Sequence, residues 1–362
     1  DGDKILVTVP TFRLDLGREA DLLEEVARIY GYDKIEVSAL EGVSMQGGKS
    51  YQHYMGDKIK ENLLSSGLYE IMTYSFISSK AYDWLGLAEN DPLRLAIPLA
   101  NPLTEEHNVM RSTLVPSLLQ VVATNMAKQV KNVEIFELGA AYLPESLPLE
   151  KLPYEQPILA AAVTGKTAKT IWGNQEEIDF FYLKGILENL FANLGISDYT
   201  FSAGQCAYLH PGKTAVLTVA GEQAGLIGEV HPDVLENYQI NQRVYLFEIN
   251  LEKILNKINL VHKYQQLPRY PSSNRDLAVV LKEEISAKKV EEIIRDVGKD
   301  LIEEISLFDV YQGEQVPAGH KSLAYSVVYR SLERTLTDQE INPIQEKIIQ
   351  RLHGELGAYL RV

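Results

Sequence analysis

The sequence has little of what marks secreted or membrane-embedded proteins. Cys206 is the only cysteine in 362 residues, which excludes an internal disulfide and fits a reducing, cytoplasmic setting. No apolar run approaches the roughly 18 residues that a membrane-spanning helix needs, so no membrane partner is expected. The chain begins at Asp1 rather than with methionine, which favours a fragment of a longer protein.

An excess of positive charge is also missing. Lys and Arg number 35 against 50 Asp and Glu, a net charge of −15 at pH 7. From Tyr264 onward, 13 cationic residues face 16 acidic ones, or −3, whereas the first 263 residues carry 22 against 34, or −12. A basic surface that wraps nucleic acid is therefore excluded, and any RNA contact must come from individually placed cations.

The remaining composition is that of an ordinary globular protein, and 362 residues should form two or three domains. Glycines in a stretch without periodicity indicate a linker over residues 39–50, between a segment 1–38 and a larger region 51–262. Strands are predicted at residues 5–9 and 69–76, among others. In the larger region strands outnumber helices and do not alternate with them, which predicts an α+β domain around an antiparallel or mixed sheet.

The most regular pattern lies in residues 263–362. Short apolar runs and helical repeats follow one another there in the order βαββαβ, typical of a ferredoxin-like domain. Residues 321–330 alternate large apolar side chains with small or polar ones, as a half-buried strand does. Thr337 and Glu340 form a capping-box pattern ahead of the last helix. One face of the sheet should carry both helices, which leaves the other face free to meet a partner.

Four carboxylates near the start form a candidate metal site. Apolar periodicity predicts a helix over residues 19–30, with Asp21, Glu24 and Glu25 crowded on its first turns. Asp15 lies six residues before Asp21, close enough to join them if the chain folds back. Hard oxygen ligands gathered in this way suit Mg²⁺. The alternative is an acidic first turn that complements the helix dipole.

Short motifs along the whole chain carry a family resemblance. They include Phe12-Arg-Leu-Asp15, Met110-Arg-Ser-Thr-Leu-Val-Pro116, Phe136-Glu-Leu-Gly139, His210-Pro-Gly212, Arg275-Asp-Leu-Ala278, Phe308-Asp-Val-Tyr311 and Ala358-Tyr-Leu-Arg361. No single motif is diagnostic. In this number and order, they resemble the β-subunit family of bacterial phenylalanyl-tRNA synthetases.

That resemblance implies a multidomain α+β architecture. Residues 1–38 would end a helical DNA-binding-like domain, residues 51–262 would form a class II synthetase-like antiparallel-sheet domain, and residues 263–362 would form a ferredoxin-like anticodon-binding domain. It also implies an (αβ)₂ heterotetramer that uses ATP to attach phenylalanine to tRNA-Phe. The chemistry would belong to the α subunit, and ATP would not be bound by this chain.

The resemblance also bears on the metal and on proofreading. In the family, Mg²⁺ at the boundary with the α subunit is held by carboxylates that match Asp15, Asp21, Glu24 and Glu25. The family's N-terminal and editing domains have no counterpart in this sequence, so hydrolysis of mischarged tRNA is not expected.

Signs of catalysis are missing from the central region. A class II active site aims cations at the ATP phosphates. The family's signatures are an Arg–Glu pair on adjoining strands and a late glycine-rich junction that bears an arginine. No arginine precedes Glu137 at a useful spacing, and the junction that ends at Gly228 continues with Glu229. We therefore expect a pseudo-catalytic fold kept for subunit assembly and inactive on its own.

Three other reactive side chains have structural explanations. His210 and His231 precede prolines that are followed by Gly or Asp, a pattern typical of turns. Cys206 has no neighbour in sequence that would activate its thiol, so we expect a small buried hydrophobe.

Candidate tRNA contacts lie in the C-terminal module. An anticodon loop offers unstacked bases, which proteins bind with aromatic or arginine planes and hydrogen bonds to base edges. Tyr311 or Phe308 would supply a stacking plane worth about 1–3 kcal/mol. For each cation the alternative is a solvated charge or an ion pair with a nearby acid. The predicted phosphate or base contacts are Arg275, Lys321, Arg330, Arg334 and Arg361, together with Tyr311.

Two other functions remain open at this point. Ferredoxin-like domains also serve as amino-acid-binding regulatory modules, which would predict stabilisation by a free amino acid and no affinity for tRNA. The chain would otherwise be an assembly scaffold only, inert until a partner subunit is supplied.

Overall fold

The computed structural model describes residues 2, 4–38, 42, 47–167, 172–261, 263–264, 266–313 and 315–361. The chain divides into two compact units, Asp1–Val261 and His262–Val362. Most of the linker predicted over 39–50 lies outside the described residues, and the four domain boundaries inferred from the sequence stay predictions. No helix in the described part of the chain is long and apolar enough to cross a membrane.

The first unit is built around a mostly antiparallel sheet. Its strands are β1 (Tyr69–Glu70), β2 (Phe76–Ile77), β3 (Val109–Met110), β4 (Val133–Leu143), β5 (Tyr154–Thr164), β6 (Tyr199–Ala203), β7 (Leu209–Val219), β8 (Glu222–Val230) and β9 (Val244–Asn250). Seven of them form one sheet in the order β1-β4-β5-β9-β8-β7-β6, while β2 and β3 form a separate ribbon. Within the large sheet, the described β1–β4 pair is parallel and the other neighbours are antiparallel.

Helices pack on both faces of that sheet. The described α-helices of the first unit are α1 (Glu19–Tyr30), which has no buried residue, α2 (Tyr51–Ser65), α3 (Ala81–Trp84), α4 (Val115–Ala127), α5 (Phe180–Asn193), α6 (Pro232–Asn237) and α7 (Glu252–Leu255). Strand β9 shows why two cores form, since Val244 and Leu246 point into one apolar cluster while Tyr245, Phe247 and Ile249 point into the other. The first cluster contains the buried side of α4, and the second contains the buried sides of α2 and α5.

The second unit has the predicted βαββαβ order. Its elements are β10 (Ser273–Lys282), α8 (Ala287–Gly298), β11 (Ile302–Tyr311), β12 (His320–Tyr329), α9 (Asp338–Leu356) and β13 (Tyr359–Leu360). The strands pair antiparallel in the order β11-β12-β10-β13, so β10 and β12 are central. Thr337 and Glu340 form the predicted capping box of α9. The predicted fold class, α+β with an antiparallel sheet followed by a ferredoxin-like domain, is confirmed.

Two predicted strands were wrong. The segment 5–9 forms no strand, Leu6 is exposed there, and no strand in the described part of the chain pairs with it. The strand predicted over 69–76 is split into β1 and β2. The Ile71 N–H still donates to a carbonyl of β4. Beyond it the chain leaves the sheet, and the Thr73 hydroxyl donates to the carboxylate of Glu137. Strand propensity without a pairing partner is not sufficient to form a strand.

Candidate functional site

The N-terminal carboxylates are held by groups of their own segment. Arg13 donates to Asp15 at 2.7 Å and to Glu25 at 2.6 Å. Asp21 accepts two backbone N–H groups that precede α1, at 2.9 and 2.7 Å, and so caps the helix. The hydrogen bond from Arg13, followed by that from Arg28, lowers the pKa of Glu25 to about 2. Arg13 also lowers the pKa of Asp15.

This arrangement does not assemble the predicted Mg²⁺ site. Within the described residues, no group of three or more His, Cys, Asp or Glu side chains lies close enough together to hold a metal ion. Carboxylate oxygens are suitable donors for Mg²⁺, but those of Asp15 and Glu25 face a guanidinium instead. As arranged, the set Asp15, Asp21, Glu24 and Glu25 does not fit the ion, and the metal site stays a prediction.

A buried ion pair lies at the centre of the first unit. Arg111 donates to Glu137 at 2.9 Å, and their side chains are 3% and 4% exposed. The same guanidinium donates to the Ala140 carbonyl at 2.9 Å and to the Thr73 hydroxyl at 2.8 Å. Glu137 also accepts from the Thr73 hydroxyl at 2.7 Å. The prediction that Glu137 has no arginine partner was therefore wrong.

The position of Arg111 in the sequence explains why it was not identified as the partner of Glu137. Arg111 precedes Glu137 by 26 residues and reaches it from the segment that follows β3. Gly139 makes room for the contact, because a Cβ there would lie 2.5 Å from the guanidinium. The pair matches the Arg–Glu signature in residue type, but its burial keeps the charge of Arg111 inside the fold rather than at a solvent-facing site.

A second carboxylate on the same sheet face is also satisfied by the chain itself. Residues 137 and 248 flank Ala160 in register across β4, β5 and β9. Glu248 accepts from the Thr113 hydroxyl at 2.7 Å and from the Leu114 N–H at 2.8 Å, and its burial raises its pKa. Residues just ahead of α4 therefore cover both carboxylates on this face.

The remaining polar candidates of the first unit have structural roles. Glu229, at the glycine-rich junction, is buried and accepts from Lys213 at 2.6 Å. His210 accepts from the Gly212 N–H at 3.1 Å, and His231 accepts from the Asp233 N–H at 3.2 Å, which caps α6. Cys206 is partly buried, which raises the pKa of its thiol. None of these contacts activates a nucleophile.

The helix-free face of the second sheet is lined by small side chains. Leu323, Tyr325 and Val327 of β12 are buried under the helices. The residues between them therefore point to the other face, where Ala324 lies beside Ala278 of β10. Small side chains therefore face each other across the two central strands.

Two predicted contacts meet on this helix-free face. The Arg361 guanidinium stacks on the Tyr311 ring, 4.8 Å from its centroid, and donates to Gln315 at 2.6 Å. Because β11 and β13 are the two edge strands, this pair spans the face from edge to edge. Arg330 continues the alternation of β12 on the same side, donating to Glu303 at 2.7 Å and to the Tyr270 carbonyl at 2.9 Å.

The other predicted cations lie elsewhere. Arg275 shares the pleat of the buried Leu277, on the helix side, and pairs with Asp338 at the start of α9. Arg334 bonds Glu340 at 2.8 Å, also in the first turn of α9. Lys321 is half-buried and makes no ion pair within the described part of the chain. The structure thus brings Arg330, Arg361 and Tyr311 to one face and leaves the rest outside it.

Strand β11 also presents an exposed aromatic ring. Phe308 lies at an irregularity in the β11–β12 register and is exposed, whereas the Tyr311 ring is covered by Arg361. A stacking plane for a base is therefore available at Phe308 without any rearrangement. Irregular register at an edge strand has no clear signature in sequence.

Comparisons with known proteins agree with the sequence motifs. Residues 35–251 match the family model described as phenylalanyl tRNA synthetase beta chain CLM domain. Residues 268–361 match the ferredoxin-fold anticodon binding domain, and residues 1–32 match the tRNA synthetase B5 domain. A pyrrolysyl-tRNA synthetase structure from Desulfitobacterium hafniense aligns over 56% of this chain and 67% of its own length, at 18% identity and with a TM-score of 0.44. A likeness this distant supports no conclusion about this chain.

Curated relatives match along the full sequence. The phenylalanine–tRNA ligase beta subunit of Clostridium tetani is 40% identical, over 100% of this chain and 44% of its own length. That of Symbiobacterium thermophilum is 41% identical, over 99% of this chain and 40% of its own length. The chain thus spans less than half the length of the curated relatives it matches. With a family model matching most of its residues, the chain belongs to the phenylalanyl-tRNA synthetase beta chain family.

Proposed function

We propose that this chain is the part of a phenylalanine–tRNA ligase β subunit that supports charging of tRNA-Phe by binding the anticodon loop and by assembling with the α subunit. The (αβ)₂ enzyme would use ATP, with the chemistry in α. One observation carries the RNA proposal. Arg330, Arg361 and Tyr311 share the helix-free face of a ferredoxin-like sheet, next to small side chains.

RNA chemistry suits that face. Unstacked bases bind to aromatic and guanidinium planes, and phosphates bind to arginines. Each guanidinium already lies on a surface partner, Glu303 for Arg330 and Tyr311 for Arg361. Pairs that are open to solvent contribute little to stability, so RNA phosphates can replace those partners at low cost.

Assembly is supported by exposed apolar side chains in the first unit. Between β1 and β2, Met72 is 91% exposed, and Tyr69 and Tyr74 are exposed beside it. Exposed apolar surface of this kind is typical of contacts between proteins. We propose that the α subunit covers it.

The proposal that this chain is non-catalytic rests on the first unit's charges. Arg111 is buried against Glu137, and Lys213 is committed to Glu229. In-line transfer from ATP requires cations aimed at phosphates. Each of these cations is already paired with a carboxylate of the chain, so the chain alone should not form phenylalanyl-adenylate.

The Mg²⁺ site is proposed from the family resemblance alone. Binding at Asp15, Asp21, Glu24 and Glu25 would require Arg13 to release two carboxylates first. Titration of the chain with MgCl₂, followed by calorimetry with and without the α subunit, tests it. Heat of binding that disappears in Glu24→Gln supports the site, and the absence of binding in both preparations contradicts it.

Arg330→Ala tests the RNA face. We expect weaker binding of the tRNA-Phe anticodon stem-loop in a filter or anisotropy assay, with the salt slope reduced by about 0.7–0.9 for one lost phosphate contact. Arg351→Ala is the matched control, because Arg351 lies on α9 and forms ion pairs with Asp296 and Glu355. A binding curve and salt slope unchanged in Arg330→Ala would contradict the proposal.

Mixing the chain with the α subunit tests the rest of the proposal. Co-elution from size exclusion and pyrophosphate exchange only in samples that contain α are the expected results. Exchange by this chain alone would overturn the non-catalytic assignment. Thermal stabilisation by free amino acids without any tRNA affinity would favour the regulatory alternative instead.

A further inference from the structure

A groove in the first unit differs in charge from the rest of the chain. It has a volume of about 800 Å³ and runs beside the C-terminal end of α4, close to α6. Its lining includes Lys128 and Lys131 but no Asp or Glu. Both lysines are exposed, and in the portion of the chain that is described neither makes an ion pair. In a protein of net charge −15, such a lining favours an anionic ligand.

Hydrogen-bonding groups fill much of the remaining lining. Six carboxamide side chains face the groove, from both α4 and the segment around α6. Carboxamides donate and accept, as is needed to bond the edges of nucleic-acid bases. Gln242 is already committed to the Lys131 carbonyl and to Thr164, while Gln120 is exposed. The groove therefore offers polar groups with no repelling charge.

An aromatic plane lies at one side of the groove. Trp84 is 37% exposed and packs edge-to-face against Tyr238, with ring centroids 5.4 Å apart. The Asn237 carboxamide donates to the Trp84 carbonyl at 2.9 Å, which fixes the end of α3. A fixed and partly exposed indole is a suitable surface for stacking a base.

A buried hydroxyl at the same place lacks a partner. Tyr238 is 6% exposed and lines the groove, yet its hydroxyl makes no hydrogen bond with any described residue. Burial raises the pKa of Tyr238, so the hydroxyl stays protonated and remains a donor. Buried polar groups in folded proteins nearly always have a partner. The hydroxyl itself has almost no exposed surface, so a ligand atom or a water would reach it only if neighbouring side chains moved.

We propose that this groove binds a single-stranded segment of RNA, with a base stacked on Trp84 and phosphates at Lys128 and Lys131. Cations beside an aromatic plane are the combination that binds single strands without reading a particular sequence. The site lies in the first unit and uses none of the residues on the helix-free face of the second unit. It can therefore hold or fail independently of the anticodon proposal.

Tryptophan fluorescence tests the proposal directly. The chain has two tryptophans, so Trp172→Phe leaves Trp84 as the only emitter. Titration of this variant with oligouridylate should quench Trp84 saturably, with a salt slope of about −1.4 for two phosphates on a single strand. Adding Lys128→Glu and Lys131→Glu should weaken binding at least tenfold. Lys257→Glu with Lys288→Glu, an equal charge change on exposed lysines outside the groove, should leave it unchanged.

Three results would overturn the groove proposal: no quenching at low salt, equal quenching in both double variants, or equal quenching by ATP and by the oligonucleotide. Arg330→Ala in the Trp172→Phe background separates the two RNA proposals. Quenching of Trp84 should persist in it while anticodon stem-loop binding weakens. Loss of quenching in that variant would contradict an independent groove.

Discussion

The two units use the same chemical pair in opposite ways. In the first unit, Arg111 and Glu137 are 3% and 4% exposed and are surrounded by further hydrogen bonds. In the second, Arg334 and Glu340 are 60% and 34% exposed at the start of α9. Burial makes the first pair part of the core, because neither charge can be left alone there. Exposure leaves the second pair free to exchange partners with little effect on the fold.

Removing the buried arginine should produce the largest effect. In Arg111→Ala, Glu137 keeps its burial but loses its cation, and an unpaired buried charge costs about 3–5 kcal/mol. We expect the free energy of unfolding in urea to fall by that amount. Arg334→Ala, the exposed counterpart, should unfold at nearly the parent's midpoint. Equal midpoints for the two variants would remove the contrast between the units.

A single methyl group at residue 139 sharpens the same comparison. Gly139→Ala places a Cβ 2.5 Å from the Arg111 guanidinium, which must move from its hydrogen bonds. We expect a loss of roughly 1–3 kcal/mol, the usual cost of overpacking. Gly354→Ala is the control, because a Cβ there meets no atom within 4 Å and the site is helical. Similar urea midpoints for both variants would mean that the contact near Arg111 relaxes without cost.

The exposed pair should be visible as a pH effect instead. The hydrogen bond from Arg334, followed by those from Thr337, lowers the pKa of Glu340 from 4.5 to about 2. A lowered pKa contributes stability that is fully present above the unfolded value and is lost as pH falls from about 4.5 through about 2. Carboxyl NMR titration should find this pKa near 2 in the parent and closer to 4.5 in Arg334→Ala. A parent value near 4.5 would show that the pair is open in solution.

Local sequence patterns predicted the elements better than their contacts. The helix predicted over 19–30 is α1, and the capping box at Thr337 starts α9, because both depend on residues within a few positions. Arg111 and Glu137 are 26 residues apart in sequence and meet only because the fold brings their segments together, which no local spacing indicates. Arg275, by contrast, lies on the helix side because it shares the pleat of Leu277 two residues away, which strand alternation alone indicates.

The carboxylates near α1 show most clearly what sequence spacing leaves out. Their spacing is compatible with a shared ion, but spacing does not include Arg13, which lies between Asp15 and Glu25 in space. The charge count was more informative. It excluded a basic RNA-binding surface and left a few placed arginines, of which Arg361 contacts Tyr311 on the helix-free face and Arg330 lies on the same face against Glu303.

Discrimination between anticodon loops tests the central claim most directly. The chain would be titrated with the anticodon stem-loop of tRNA-Phe and with one in which only the three anticodon bases are replaced, at equal salt. Contact with unstacked bases predicts weaker binding of the altered loop, and Arg361→Ala should reduce the difference. Equal affinity for both loops, with equal salt slopes, would contradict anticodon recognition by the second unit.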